Sequence, residues 1–272
     1  MPTPLHDFST SVLVRANEIN QEEVYKLLSG LPKVEILDTP EILRVFTGVP
    51  HYAVNGVLRT QIADADVDAR IETILDYFRS RNVPMMWSVS LSTRPADLDR
   101  HLQAHGLTHL TTMPGMALDL DRLPASVPLP PGAIVKEVTD QDTLAHWAEA
   151  VSEGFEMPRE VIDVWASATS LAGYGEQTPL RNFIAYLDGE PVGTSTLFLG
   201  GGVAGIYSVT VVPTARRQGI GAAITVAPLR VAQQLGYRIG TLLASEMGAS
   251  VYRRLGFEEH GTFALYGSEA LS

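Results

Sequence analysis

Residues 215–221, Ala-Arg-Arg-Gln-Gly-Ile-Gly, set two arginines and a glutamine ahead of two glycines, directly after a β-branched run that ends at Pro213. A strand that feeds a glycine turn into a helix leaves several backbone N–H groups unpaired at the positive end of the helix dipole. Phosphate binds at such places. Gly219 and Gly221 let the main chain approach a diphosphate without a Cβ in the way, the amides of Gln218, Gly219, Ile220, Gly221 and Ala222 supply donors, and Arg216 and Arg217 can add charge-assisted hydrogen bonds. The spacing excludes two other phosphate devices: the chain has no GxxxxGK(S/T), and Gly-Ile-Gly is not the GxGxxG of dinucleotide folds. A glycine turn can also simply begin a helix, and the two arginines can be a solvated pair, so these residues alone leave both readings open.

A second group lies in "SEMGASVYRRLGF", residues 245–257. Tyr252 shares a helical face with Val251 and Leu255, where its ring can pack. Ser245 can hydrogen-bond a ligand or cap the helix that follows it. Candidates for a base are sparse: Glu153 and Glu156 fall in a loop, His146 and Tyr207 are expected to pack, and "AGIYSVTVV" contains no acid. The histidines form no metal-ligand pattern, and no metal is expected.

The elements that must position these residues follow from periodicity and turn chemistry. "AIVKEV" predicts a strand, Thr139 or Asp140 caps a helix, and a second helix follows Pro158. Asp188-Gly189 joins two β-rich runs as a hairpin, and Gly200 to Gly202 turn the chain into "VAGIYSVTVV". A helix to about Leu235, the strand "YRIGTLLA", the Tyr252 helix and a last strand from Gly261 to Tyr266 complete the order β-α-α-β-β-β-α-β-α-β. Pro228 interrupts the backbone bonding of the helix after the glycines and predicts a kink.

The upstream half is a blurred copy. "EILRVFTGVP", "AVNGVLRTQI" and "VPMMWSVS" read as strands; Val67, Ile71, Ile74, Leu75 and Phe78 share one helical face, and "PADLDRHLQAHGL" is a helix leading into "MPGMALDL". Aligning "HLQAHGL" with "VYRRLGF" puts Gly106 under Gly256 and Leu102 under Tyr252, which suggests an internal duplication. Residues 122–135 hold four prolines and a glycine between the halves and mark the expected boundary, with domains at 1–124 and 133–272.

Composition sets the outer limits. The chain has 272 residues, of which 45% are apolar, enough for one large or two ordinary cores. A formal charge of -11 argues against general nucleic-acid or anionic-membrane partners. With no cysteine there is no disulfide, thiolate metal site or cysteine nucleophile. The N-terminus lacks a basic region followed by an apolar one, and no long apolar run occurs, so a cytoplasmic protein is expected.

Taken together, "VTVVPTARRQGIGAA" resembles motif A of the GCN5-related N-acetyltransferases, the GNAT superfamily, and "SEMGASVYRRLGF" resembles the motif B that follows it. The resemblance covers about residues 133–272 and implies an α/β (α+β) protein of two GNAT-like domains, each a mixed, mostly antiparallel sheet flanked by helices, the first degenerate. It implies acetyl-CoA as co-substrate, its pantetheine arm along the backbone of Val209 and Val211 and its diphosphate on residues 216–222, with Ser245 near the cofactor and Tyr252 as general acid. The first half lacks a glycine between Gly56 and Gly106, and its equivalent helix opens among Asp64, Asp66 and Asp68, which repel a diphosphate. The expected activity is acetylation of a primary amine of a small molecule by direct attack, as a monomer or homodimer. A non-catalytic acyl-CoA sensor and a protein N-acetyltransferase are the alternatives.

Overall fold

A computed structural model describes residues 2–268 of the chain. Its contacts divide it into two compact units, one containing the chain up to Leu27 with Gly115–His260, the other containing Leu28–Pro114 with the chain from Gly261. The expected boundary at residues 122–135 is therefore not where the units part. The first helix, α1 (Thr10–Lys26), belongs to the later unit, and the end of the last strand belongs to the earlier one.

The unit built on Leu28–Pro114 begins with β1 (Glu35–Asp38), β2 (Ile42–Phe46) and β3 (Gly56–Thr60), paired antiparallel in that order. Next come α2 (Val67–Arg79), β4 (Met86–Val89), α3 (Leu98–Ala104) and β5 (Thr108–Asp119). β4 runs parallel to β3, and the final residues of the chain's last strand pair antiparallel with β4, Ala264 opposite Val89. The predicted face of α2 is buried, all five of its residues entering a core with Trp87, Leu98 and Leu102.

The other unit takes its strands in the predicted order. β6 (Ala133–Glu137) is followed by α4 (Gln141–Phe155), α5 (Arg159–Ala172), β7 (Leu180–Leu187), β8 (Glu190–Gly200) and β9 (Val203–Val211). Then come α6 (Ile220–Gln234), β10 (Ile239–Leu243), α7 (Glu246–Leu255) and β11 (Glu258–Gly267). β6 to β9 form an antiparallel meander, β10 joins β9 in parallel, and residues 115–119 of β5 pair antiparallel with β10. Asp140 starts α4 through a capping box with Thr143, as its place in the sequence predicts. Both units are mixed, mostly antiparallel sheets with flanking helices. Among the described residues no helix is long and apolar enough to cross a membrane.

Candidate active site

The site forms where β9 leaves β10. The parallel pairing covers only Ala204 to Ile206, opposite Gly240 to Leu242, whereas β9 continues to Val211 with β8 on its other side. Two local features accompany the departure. The β8–β9 ladder carries an irregularity between Thr194 and Thr196, and Ser208 takes a left-handed conformation (φ 50°), its carbonyl accepting from Thr194 Oγ1 at 2.8 Å. Val209 and Val211 thus lie on an edge that β10 does not cover.

That edge runs straight into the glycine turn. Gly219 is the N-cap of α6 at φ 86°, with no side chain capping the helix and no acid in its first turn. Ala222 and Ala223 turn their amides to the Gly219 carbonyl at 3.1 and 3.2 Å, while Arg217 (φ 64°) and Gln218 are exposed. A Cβ at Gly221 meets nothing in the protein closer than Val211 Cγ2 at 3.8 Å, so no neighbouring atom demands a glycine there. Among the described residues the amides of Gln218 to Gly221 and the Arg217 guanidinium have no partner, whereas the expected Ala222 amide is taken by the Gly219 carbonyl; four amides and a cation at the dipole's positive end fit a diphosphate.

The two arginines do different things. Arg217 faces solvent, but Arg216 directs Nε to the Val211 carbonyl at 2.9 Å and Nη2 to the Gly154 carbonyl at 3.1 Å. Arg216 thereby holds the end of α4 against the end of β9. Gly154 permits the approach, since a Cβ there would lie 2.5 Å from Thr210 Oγ1. The exposed Glu153 and Glu156 sit at this end of α4, the latter in the left-handed C-cap position (φ 53°).

On α7, Ser245 is the N-cap, its Oγ accepting from the Gly248 amide at 3.1 Å. Tyr252 is buried in the same core cluster as Ile220 and meets Phe257 edge to face at 5.9 Å. Its ring fits beneath the first turn of α7 because Gly248 has no Cβ; one would stand 2.8 Å from Cε2. No residue takes a hydrogen bond from its hydroxyl among those described, and burial pushes its pKa up to about 12. The other titratable candidates are engaged elsewhere. His146 Nδ1 lies 3.0 Å from the Tyr186 hydroxyl, and Tyr207 donates to Asn20 Oδ1 at 2.5 Å, burial holding its pKa well above the usual 10. Among the described residues no group of His, Asp and Glu can hold a metal.

A family profile for the acetyltransferase (GNAT) domain matches residues 179–259, the span from β7 through the glycine turn and Tyr252. Over those residues the chain is similar to a GNAT acetyltransferase domain. The fold of the whole chain is likewise that of GNAT proteins. It resembles a GCN5-related N-acetyltransferase from Kribbella flavida at TM-score 0.72 and 20% identity over 93% of this chain and 95% of that one. A GCN5-related N-acetyltransferase from Sphaerobacter thermophilus aligns at TM-score 0.65 and 19% identity over 98% and 95%. A tandem GNAT protein from the clavulanic acid biosynthesis pathway aligns at TM-score 0.63 and 15% identity over 99% and 98%. No curated protein matches the chain. The GNAT domain makes the protein an acyltransferase, and the family uses acetyl-CoA as co-substrate.

One contributor to the GNAT unit escapes the sequence. Asn20 of α1 donates through Nδ2 to the Phe198 and Gly200 carbonyls at 3.2 and 2.8 Å and receives the Tyr207 hydroxyl on Oδ1. Gly205 makes room for it, because a Cβ there would fall 1.9 Å from Asn20 Oδ1. Val24 and Tyr25 of the same helix then wall a cavity of about 170 Å³ whose lining also includes Ser208. The buried face of α1 carries Asn17, Glu18, Asn20 and Glu22 beside Leu13, Val14 and Val24, so its apolar stripe is interrupted. The available signal is the spacing of Leu13, Ala16, Asn20 and Val24, legible only once asparagine is allowed to be a buried residue that bonds carbonyls.

Proposed function

We propose that the protein transfers an acetyl group from acetyl-CoA to a primary amine of a small molecule by direct attack. The observation that carries the proposal is the uncovered edge of β9 beyond Ile206, ending at the uncapped, acid-free start of α6. An extended pantetheine arm with its two amides can pair along such an edge as an added strand, near Val209. The amides of residues 218–221 and the Arg217 guanidinium hold the diphosphate. Arg216 serves by fixing the turn, and Ser245 by starting the helix that presents Tyr252.

Tyr252 acts on the leaving sulfur. A thiol has a pKa of about 8.5, so complete proton transfer from a phenol of pKa about 12 is uphill by roughly 5 kcal/mol. Donation of a hydrogen bond is not uphill, and a bond to an ionised acceptor contributes about 1.5–3 kcal/mol. Tyr252 therefore stabilises the departing thiolate, and the proton that the thiol finally keeps comes from the attacking amine. The cavity of about 170 Å³ beside Ser208 supports a small-molecule acceptor, because it has room for part of such a molecule and not for a peptide. Calorimetry with acetyl-CoA and a thiol-release assay over a panel of amines test the proposal; absence of acetyl-CoA binding overturns it.

A further inference from the structure

The walls of the cavity beside Ser208 differ from what a cationic amine requires. Tyr25, Trp147, Trp165 and Tyr207 line it together with hydroxyl and amide groups, and no carboxylate is among its lining residues. Glu153 and Glu156, the acids available to attract a cation, are exposed at the end of α4 and lie outside it. Tyr25 from α1 and Trp165 from α5 meet edge to face, 5.1 Å apart at 84°, which makes two perpendicular aromatic walls.

Several polar groups of the wall direct their donors into the protein, while Trp147 Nε1 is buried with no partner among the described residues. Asn20 can receive the Tyr207 hydroxyl only through Oδ1, since its Nδ2 serves the carbonyls of Phe198, Gly200 and Val203, so the phenol is fixed as a donor to Asn20. Thr196 donates to Asn182 Oδ1 at 2.6 Å, Asn182 to Thr169 Oγ1 at 2.8 Å, and Thr169 to the Trp165 carbonyl at 3.0 Å. The cavity thus offers aromatic surface and hydroxyl oxygens, with no carboxylate in its lining.

We propose that this cavity receives the uncharged planar ring of an aromatic amine, with Tyr25 of α1 as a specificity-determining wall. This identification rests on the acetyl-transfer function argued above and names its acceptor. The lining argues against an ammonium group, because it holds no carboxylate to offset the cost of stripping a cation of its water. Burial raises the pKa of Tyr25 to about 12 and that of Tyr207 well above 10, which marks the same low-dielectric surroundings. Size agrees too: a cavity of about 150 Å³ lined by apolar side chains accepts benzene, and this one measures about 170 Å³.

The position completes the argument. Ser208 belongs both to the cavity wall and to the stretch where β9 has left β10, so a ring seated in the cavity has its substituent at the open edge of β9. An amine conjugated to a ring is uncharged at neutral pH and already carries its lone pair. The missing acid on β9 is then no defect, because nothing has to be deprotonated before attack. The C–N bond forms on the acetyl carbon, the C–S bond breaks with its electron pair going to sulfur, and one N–H proton is lost from nitrogen and ends on the thiolate.

The test uses the full-length protein with acetyl-CoA and four probes: indole, 4-methoxyaniline, spermidine and tetramethylammonium. Indole is expected to bind with or without acetyl-CoA and to change tryptophan fluorescence, while tetramethylammonium does not bind. 4-Methoxyaniline is expected to release thiol with kcat/KM at least about tenfold above spermidine. Tyr25→Leu raises the KM for 4-methoxyaniline about tenfold with kcat and acetyl-CoA affinity unchanged, and Tyr25→Phe restores it. A fold defect would instead lower acetyl-CoA affinity and the melting temperature together, and Trp165→Phe, which keeps a ring in the wall, provides the second variant. Preference for spermidine, or failure of indole to bind a protein that does bind acetyl-CoA, overturns the assignment. If acetyl-CoA fails to bind while indole binds in a Tyr25-dependent way, the ring site stands and the acetyl-transfer function falls.

Discussion

Ser195 Oγ on β8 donates a 2.6 Å hydrogen bond to the carbonyl of Ile224 on α6. That carbonyl lies four residues before Pro228, which has no N–H to return, so the serine supplies the donor that the helix lacks. Both Ser195 and Ile224 are fully buried, where an unmet carbonyl is costly. Replacing Ser195 by alanine is expected to destabilise the protein by about 1–3 kcal/mol in urea unfolding. In the Pro228→Ala background the helix regains its own donor, and the same serine replacement should then cost clearly less. Equal costs in the two backgrounds would refute the compensation.

The glycine turn gives a pair of substitutions with opposite signs. Gly221 has an ordinary helical backbone, and a Cβ there would make only an ordinary contact with Val211 Cγ2 at 3.8 Å, so Gly221→Ala should raise stability by up to about 1 kcal/mol through helix propensity. The same methyl group enters the space assigned to the diphosphate and should weaken acetyl-CoA binding about tenfold, or about 1.4 kcal/mol. Gly219 sits at φ 86°, and alanine there should cost about 1–2 kcal/mol of stability. Melting curves and calorimetry on the two variants separate backbone strain from ligand space.

Much of this was legible before any coordinates because local chemistry and tertiary packing agree. The ten-element order of residues 133–267 follows from turn residues and period alone, and it is the order found. The match of "HLQAHGL" with "VYRRLGF" is also structural. Gly106 (φ 88°) and Gly256 (φ 97°) both end their helices left-handed, with Leu107 donating to the Leu102 carbonyl and Phe257 to the Tyr252 carbonyl, each at 3.0 Å.

What stayed hidden depends on distance along the chain. The Pro228 kink was expected, but its partner lies on another strand and a lone serine in β8 carries no sign of it. Arg216 reads as a phosphate ligand until α4 is placed beside it and takes up its guanidinium. α1 joins the GNAT unit from the far end of the sequence, and the last strand changes unit near Gly261, because strand pairing rather than the proline-rich linker decides which segments pack together.

The capping box on α4 makes stability sensitive to acid. Asp140 accepts the Thr143 amide and hydroxyl, and these bonds hold its carboxyl below the ordinary value of 3.8. A depressed pKa means that the cap contributes in full above about pH 4 and is lost as pH falls through the folded value below 3.8. Asp140→Asn keeps an acceptor for the amide but cannot titrate. The melting temperature of wild type should exceed that of the asparagine variant at pH 6, and the gap should close toward pH 3. A constant gap would mean that the carboxylate's charge plays no part in the cap.

Tyr252→Phe removes a hydroxyl that bonds to nothing among the described residues, while the ring and its contact with Phe257 remain. The melting temperature and acetyl-CoA affinity should be unchanged, and kcat should fall about 10- to 10²-fold, the effect of losing a hydrogen bond to an ionised acceptor. The pH profile gives an independent check. With its pKa near 12, the phenol is protonated across the whole assay range, so the wild-type rate should show no descending limb from Tyr252 between pH 7 and 10. A fall in rate near pH 10 that vanishes in the phenylalanine variant would place the hydroxyl in water and remove the burial on which its role depends. Gly248→Ala supplies the converse perturbation: its methyl group presses on the Tyr252 ring from 2.8 Å, so it should lower kcat while leaving the hydroxyl in place.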